Sequence, residues 1–221
     1  MYREAPSRVA AGERVLSTDE MTGVQALERA APGLPLRPGK IERREFEYIR
    51  HGTLSFIINF DVVSGEVICP SVGPTRNEAD FLAHIRSTVE SDPSVTRWHV
   101  VADNLNTHCS ESLVRYVAEL SAITDDLGIK DKSGILKSMA TRAAFLAEGA
   151  HKVVFHYTPK HASWLNQVEL WLSILVRKLL RRGNFSSTDD LRDKVLAFIA
   201  YFNRTMAKPF KWTYLGKPLH A

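Results

Sequence analysis

A chain of 221 residues with 44% hydrophobic and 24% charged residues has the size and composition of one substantial globular domain. No stretch approaches the roughly 18 apolar residues of a membrane span, the N-terminus lacks a signal-peptide core, and the two cysteines, Cys69 and Cys109, have no metal-type spacing. The expectation is a cytoplasmic protein with no structural zinc and no membrane contact. Net charge is only +4, but residues 177–217 hold ten basic and three acidic side chains, a net +7 against −3 elsewhere. Such a basic end suits a polyanionic partner, and it equally suits a solvated helix face.

In chain order, residues 1–12 read as a loose leader. Residues 14–18 (RVLST) are a short strand candidate running into Asp19 and Glu20, and the Pro and Gly spacing after Met21 argues for a long exposed loop. Residues 46–63 are rich in β-formers, and a turn at 63–66 leads to a second strand, so an antiparallel hairpin is expected, with Asp61 and Glu66 as turn residues. Residues 77–90 repeat apolar side chains at helical spacing (Phe81, Leu82, Ile85, Val89). Residues 98–102 (WHVVA) have the unbroken apolar character of a strand buried on both faces; they end at Asp103, followed by turn residues. A helix is expected over 110–120, with Leu113, Val117 and Leu120 in register.

Residues 121–150 read as an insertion, a polar loop and then a helix over 135–148. Its apolar side (Ile135, Leu136, Met139, Ala143, Leu146) must be covered, so it serves as a lid, meets a partner, or packs on its own core. Residues 152–156 (KVVFH) form another buried-strand candidate. A long helix follows, with Ser163 as N-cap and a stripe of Trp164, Leu165, Val168, Leu172, Leu175 and Leu179, broken at Gly183-Asn184. Ser187 or Thr188 caps a final helix carrying Leu191, Val195, Phe198, Ile199 and Phe202. Residues 206–221 are a tail mixing cations with aromatics. This order fits an α/β domain over residues 13–205, a mixed sheet with helices on both faces.

Two strand candidates thus end in an aspartate, Asp19 and Asp103, and Glu169 sits at the border of the apolar stripe on the helix after the last strand. Strand ends are where α/β sheets hold ligands. Three carboxylates brought together there would repel one another and require cations, and hard oxygen donors suit Mg2+ or Mn2+. Two such ions about 4 Å apart clamp the attacking and leaving oxygens of a phosphoryl displacement and activate water, so no Ser or Cys nucleophile is needed. On its own helix Glu169 also fits an ordinary solvated position. Glu20 follows Asp19 in an extended run, so only one of the two can face the cluster. The five-residue spacing of His151, His156 and His161 fits no zinc site.

The strings STDEMTGVQALERAAP, RHGTLSFIINFDVVSGEV, ADNLNTH and YTPKHASWLNQVE, in this order, resemble the catalytic domain of DDE transposases, in the bacterial insertion-sequence branch related to mariner elements. The resemblance runs from about Arg14 to Pro218. It implies an RNase H-like fold with Asp19, Asp103 and Glu169 as the catalytic acids holding two Mg2+ ions, Mn2+ being an alternative. It further implies hydrolysis of DNA phosphodiesters at element ends and attack of the freed 3′ hydroxyl on target DNA, typically at a TA dinucleotide. Asn104, His108, Trp164 and Asn166 match further motif positions and are expected to shape the site. DNA is the implied partner, contacted through Arg177, Lys178, Arg181, Arg182, Arg204, Lys208 and Lys211, with activity as a homo-oligomer at the nucleoid.

Two departures stand out. Only about a dozen residues precede the first strand, too few for the helix-turn-helix region that reads element ends, so that region is expected to be missing or supplied elsewhere. Sixty-five residues separate Asp103 from Glu169, above the common family spacing, and the excess falls in residues 121–150. A nuclease of the same fold that cuts without joining, and a DNA-binding remnant without catalysis, are the competing readings.

Overall fold

The computed structural model describes residues 1–159 and 162–213; His161 and, within the C-terminal tail, residues 214–221 with Lys217 lie outside them. Five strands, β1 (Glu13–Arg29), β2 (Tyr48–Asp61), β3 (Val67–Gly73), β4 (Arg97–Ala102) and β5 (Val153–Tyr157), form one sheet in the order β3-β2-β1-β4-β5. The β1–β2 and β2–β3 pairs are antiparallel, as the hairpin pattern requires, and β1–β4 and β4–β5 are parallel. The helices are α1 (Ala5–Ala10), α2 (Glu78–Ser91), α3 (Glu111–Leu120), α4 (Met139–Leu146), α5 (Val168–Lys178) and α6 (Thr188–Thr205). Among the described residues no helix is long and apolar enough to cross a membrane.

Strand alternation divides the core in two. Leu16 and Ile57 point to the face covered by α2, α3 and α4, whereas Val15, Phe56 and Ile58 point to the face covered by α1, α5 and α6. Helices therefore lie on both faces, as expected. Asn77 caps α2 by accepting from Ala79 N and Asp80 N, and Ser187 caps α6 by accepting from Asp190 N. Asp61 behaves as a turn residue, accepting from Val63 N and Ser64 N, and it also pairs with Arg14 at 2.7 Å.

Several expectations are corrected. The leader is not loose along its length, because α1 buries Ala5 in the second core. The stretch after Met21 continues β1 to Arg29; a register shift between Met21 and Val24, with Gly23 at φ +64°, bends the strand where the glycine suggested a loop. Ser163 does not cap the long helix. Residues 163–165 form a single 3-10 turn, and α5 starts at Val168, so Glu169 lies in its first turn. The side chain that fills the core is Trp171, fully buried, while Trp164 is 57% exposed. Of the three outcomes left open for residues 121–150, the structure shows packing on the chain's own core. Leu136, Phe145 and Leu146 are buried there, and Arg142 donates to the carbonyls of Cys109 at 2.6 Å and Leu136 at 3.1 Å. The apolar side of this segment covers α3 and β5, and it braces the 106–109 turn.

His84 of α2 is buried against Ser71, its Nδ1 2.8 Å from Ser71 Oγ. Burial, with a smaller contribution from the His108 charge, pulls its pKa down to about 3. The unfolded chain therefore binds more protons between the ordinary histidine range and pH 3, and this group's contribution to stability is lost as pH falls through that window. His84→Gln keeps a partner for Ser71 but does not titrate. It should make the acid loss of stability shallower by up to about 1.4 kcal/mol per pH unit. Urea unfolding at pH 4.5 and 6.5 measures this, and equal slopes in the two proteins would assign the acid loss to other groups.

Candidate active site

Parallel pairing of β1 with β4 runs in the register Leu16↔Val100 and Ser17↔Val101. Asp19 and Asp103 each lie two residues beyond the last β1–β4 pair, near the C-terminal end of β4, and the Asp103 charge acts on Asp19.

The start of α5 is pinned to the same place. Asn166, fully buried, donates to the Thr18 carbonyl at 2.8 Å and reaches Asp19 Oδ2 at 3.4 Å, and Ser17 Oγ donates to its side-chain oxygen. Ser17 Oγ in turn accepts from Val168 N at 2.8 Å. These bonds hold residue 166 in extended backbone and delay the helix to Val168, which presents Glu169 in the first turn, where the helix dipole favours an anion. Of the residues expected to shape the site, Asn166 thus anchors it. Asn104 is exposed, its Oδ1 accepting from Cys109 Sγ at 3.5 Å. Trp164 stays at the surface before α5.

The electrostatics reflect three acids sharing one place. Burial raises the Asp19 pKa, the Glu20 main-chain bond at 2.7 Å opposes it, and the negative charges of Asp103 and Glu169 raise it further, to about 6. Asp103 is held below the ordinary carboxylate range, first by His108, whose Nδ1 lies 2.7 Å from Oδ1. For His108 burial opposes protonation, but the bonds to Asp103 and Glu20 outweigh it and push the pKa up to about 9.

Among the described residues no three His, Cys, Asp or Glu side chains are closed to ligand distance. The donor set nevertheless fits a hard divalent cation: three carboxylates at a strand end, with Asp19 destabilised as an anion by its two neighbours. The three histidines of the five-residue spacing do not form a site either. His156 Nε2 meets His99 Nδ1 at 3.0 Å, His151 packs on Phe145, and His161 lies outside the described residues.

A groove of about 680 Å³ leads away from Glu169 along α5, lined by Glu20, Met21, Thr22, Leu170, Leu172, Ser173, Val176 and Arg177. Next to it, Ile174, Arg177, Lys178 and Arg182 line a second depression. The expected basic segment is split by the fold. Phe185 N donates to the Leu27 carbonyl, which sets the α5 end of the segment beside the far end of β1. Lys208 instead passes so close to Gly65 of the β2–β3 turn that a Cβ there would lie 2.1 Å from its carbonyl carbon, and Asn203 bonds Val67. Arg204 and Lys208 therefore belong to the other end of β1, and Lys211 follows Lys208 in the tail. Arg192 and Lys194 are paired with Asp189, Asp193 and Asp190.

Sequence reasoning missed Ser17, Arg142 and the partly buried Tyr157, whose hydroxyl donates to the His108 carbonyl at 2.8 Å. No local pattern marks them, because the bonds that tie them to Val168, Cys109 and His108 span 33 to 151 residues.

A family model described as DDE superfamily endonuclease matches residues 14–192. No curated protein matches the chain. Among solved structures, the Mos1 strand transfer complex matches with a TM-score of 0.52 at 14% identity, covering 90% of this chain and 53% of that one. The Mos1 mariner paired-end complex with Mn matches with a TM-score of 0.50 at 14% identity, with the same coverages. The Mos1 transposase paired-end complex with the left transposon end gives 0.50 at 13% identity, covering 90% and 54%. The fold is the RNase H-like one that the sequence resemblance implied, and the chain spans about half the length of these structures.

Proposed function

Because the chain belongs to the DDE superfamily endonucleases, we propose that it is the catalytic domain of a transposase, which hydrolyses DNA phosphodiesters at element ends and transfers the strands into target DNA. What supports this reading is that β1 and β4 pair in parallel up to Ser17↔Val101, two residues before Asp19 and Asp103, that the charges of Asp103 and Glu169 both act on Asp19, and that Asn166 ties the start of α5 to β1.

In this reading Asp19, Asp103 and Glu169 hold two Mg2+ or Mn2+ ions, which when bound activate a water or 3′ hydroxyl and stabilise charge on the scissile phosphate. Asp19 must be ionised to contribute, and Asn166 fixes its carboxylate against β1. Arg177, Lys178, Arg181 and Arg182, all exposed, follow the DNA backbone beyond Glu169; contacts of this kind position the duplex without reading its bases. Arg204, Lys208 and Lys211 form a second, separate phosphate contact. The active form is a homo-oligomer working on DNA at the nucleoid.

The test is a pre-nicked or end-mimicking duplex incubated with the chain, Mg2+ and a second target duplex. The expected result is Mg2+-dependent cleavage together with a joined product, with binding that weakens steeply as salt rises. Cleavage without joining would leave a nuclease of the same fold. Salt-sensitive binding without cleavage would leave a DNA-binding remnant.

A further inference from the structure

Glu20 has no part in the carboxylate cluster, yet it is wired to it. In an extended strand Asp19 and Glu20 leave the sheet on opposite faces. Asp19 goes to the α5 face with Ser17. Glu20 goes to the α2 face, where its side chain is 2% exposed and divides its oxygens between two partners: Oε1 lies 3.3 Å from His108 Nε2, and Oε2 lies 3.2 Å from Arg76 Nη1.

His108 is fully buried under the Phe81 ring, 4.2 Å between centroids, and its backbone carbonyl is held by the Tyr157 hydroxyl. The imidazole has no room to turn, and each ring nitrogen faces a carboxylate oxygen. On the other side of the ring Nδ1 is 2.7 Å from Asp103 Oδ1 and 3.1 Å from the Asp103 main-chain carbonyl oxygen, and Oδ1 also accepts from Leu105 N at 3.2 Å. Among the described residues no hydrogen bond reaches Asp103 Oδ2. A carboxylate–imidazole–carboxylate chain therefore runs from the far face of the sheet, round the end of β1, to one chosen oxygen of Asp103.

We propose that Glu20 is a positioning residue: through His108 it ties Asp103 Oδ1 to the protein and leaves Oδ2 as the oxygen offered to a divalent cation. The inference rests on the reading of Asp103 as a metal ligand. Partners one step behind a ligand commonly change metal affinity by roughly 10- to 100-fold. Glu20→Gln should give this effect: its amide oxygen still accepts from His108, so the fold is kept, but the carboxylate that anchors the far side of the ring is gone. Glu20→Asp keeps the charge but stops short of His108.

The experiment is calorimetric titration of the full chain with Mn2+ in the absence of DNA, beside thermal unfolding of the metal-free proteins. Glu20→Gln and Glu20→Asp should each weaken Mn2+ binding about tenfold. Glu20→Gln added to His108→Gln should weaken it no further, because the two side chains act in series. Asp103→Asn should lose most of the affinity. Multiplying effects of Glu20→Gln and His108→Gln, or unchanged Mn2+ binding in both Glu20 variants with only a lower melting temperature, would reduce Glu20 to a structural bond. If Asp103→Asn is weakened while the Glu20 variants bind as wild type, this inference alone falls. If wild type binds Mn2+ no better than Asp103→Asn, the metal reading of the site falls and takes the inference with it.

Discussion

Asp103→Asn is expected to lower Mg2+-dependent cleavage of duplex DNA by on the order of a thousandfold, because a metal ion stabilises transition-state charge by several kcal/mol and about 1.4 kcal/mol is tenfold in rate. The substitution is close to isosteric. Its Oδ1 can still accept from Leu105 N, and the side chain is 38% exposed, so little packing is disturbed. What disappears is the negative charge beside Asp19 and Glu169. Single-turnover cleavage at saturating DNA, with a melting curve on the same preparation, separates chemistry from folding. A variant that melts like wild type and cuts within tenfold of it would remove Asp103 from the chemistry.

The largest expected stability effect is at Trp171. Its indole is fully buried on α5, 6.5 Å from the Phe198 ring and 6.0 Å, edge-on, from that of Phe202 on α6. Trp171→Ala should cost about 3–5 kcal/mol, a large share of a stability that is typically about 5–15 kcal/mol. For a chain of this length the melting temperature should fall by roughly 6–20 °C. Trp171→Phe should cost far less: the ring contacts survive, and the indole Nε1 has no hydrogen-bond partner among the described residues to lose. Urea unfolding measures both. A loss under about 1 kcal/mol for Trp171→Ala would mean that the site can collapse around the missing ring. The same contact matters to function, because α5 carries Glu169 and its position against β1 depends on this packing.

Trp171 also shows where sequence reading stops. Period alone placed Trp164 and Leu165 on the buried stripe, since both continue the spacing of Val168 and Leu172. The structure starts the helix only after them, because Asn166 bonds sideways into β1 and the backbone there is extended. A helix boundary set by a bond to a residue 148 positions away leaves no trace in local periodicity. The β1 strand was cut short at Thr18 for a related reason. Gly23 reads locally as a loop, and only pairing with β2 makes it a bend in a continuing strand.

The sequence by itself marked the strands at residues 14–18, 98–102 and 152–156, the helices over 77–90 and 110–120, the capped start of the final helix, and Asp19, Asp103 and Glu169 as candidate acids. Each of these is written in residues adjacent or one turn apart, where alternation, helical period and capping residues act. Only the tertiary structure decided what those residues do together. The β1–β4 register ends two residues before Asp19 and Asp103 and brings them near one end of β4, and Glu20 reaches Asp103 through His108. Residues 121–150 turn from an insertion into a brace when Arg142 finds carbonyls on both sides of it. Register, face and buried polar partnership depend on which strand lies next to which, and that choice is settled by burying both faces of the sheet at once.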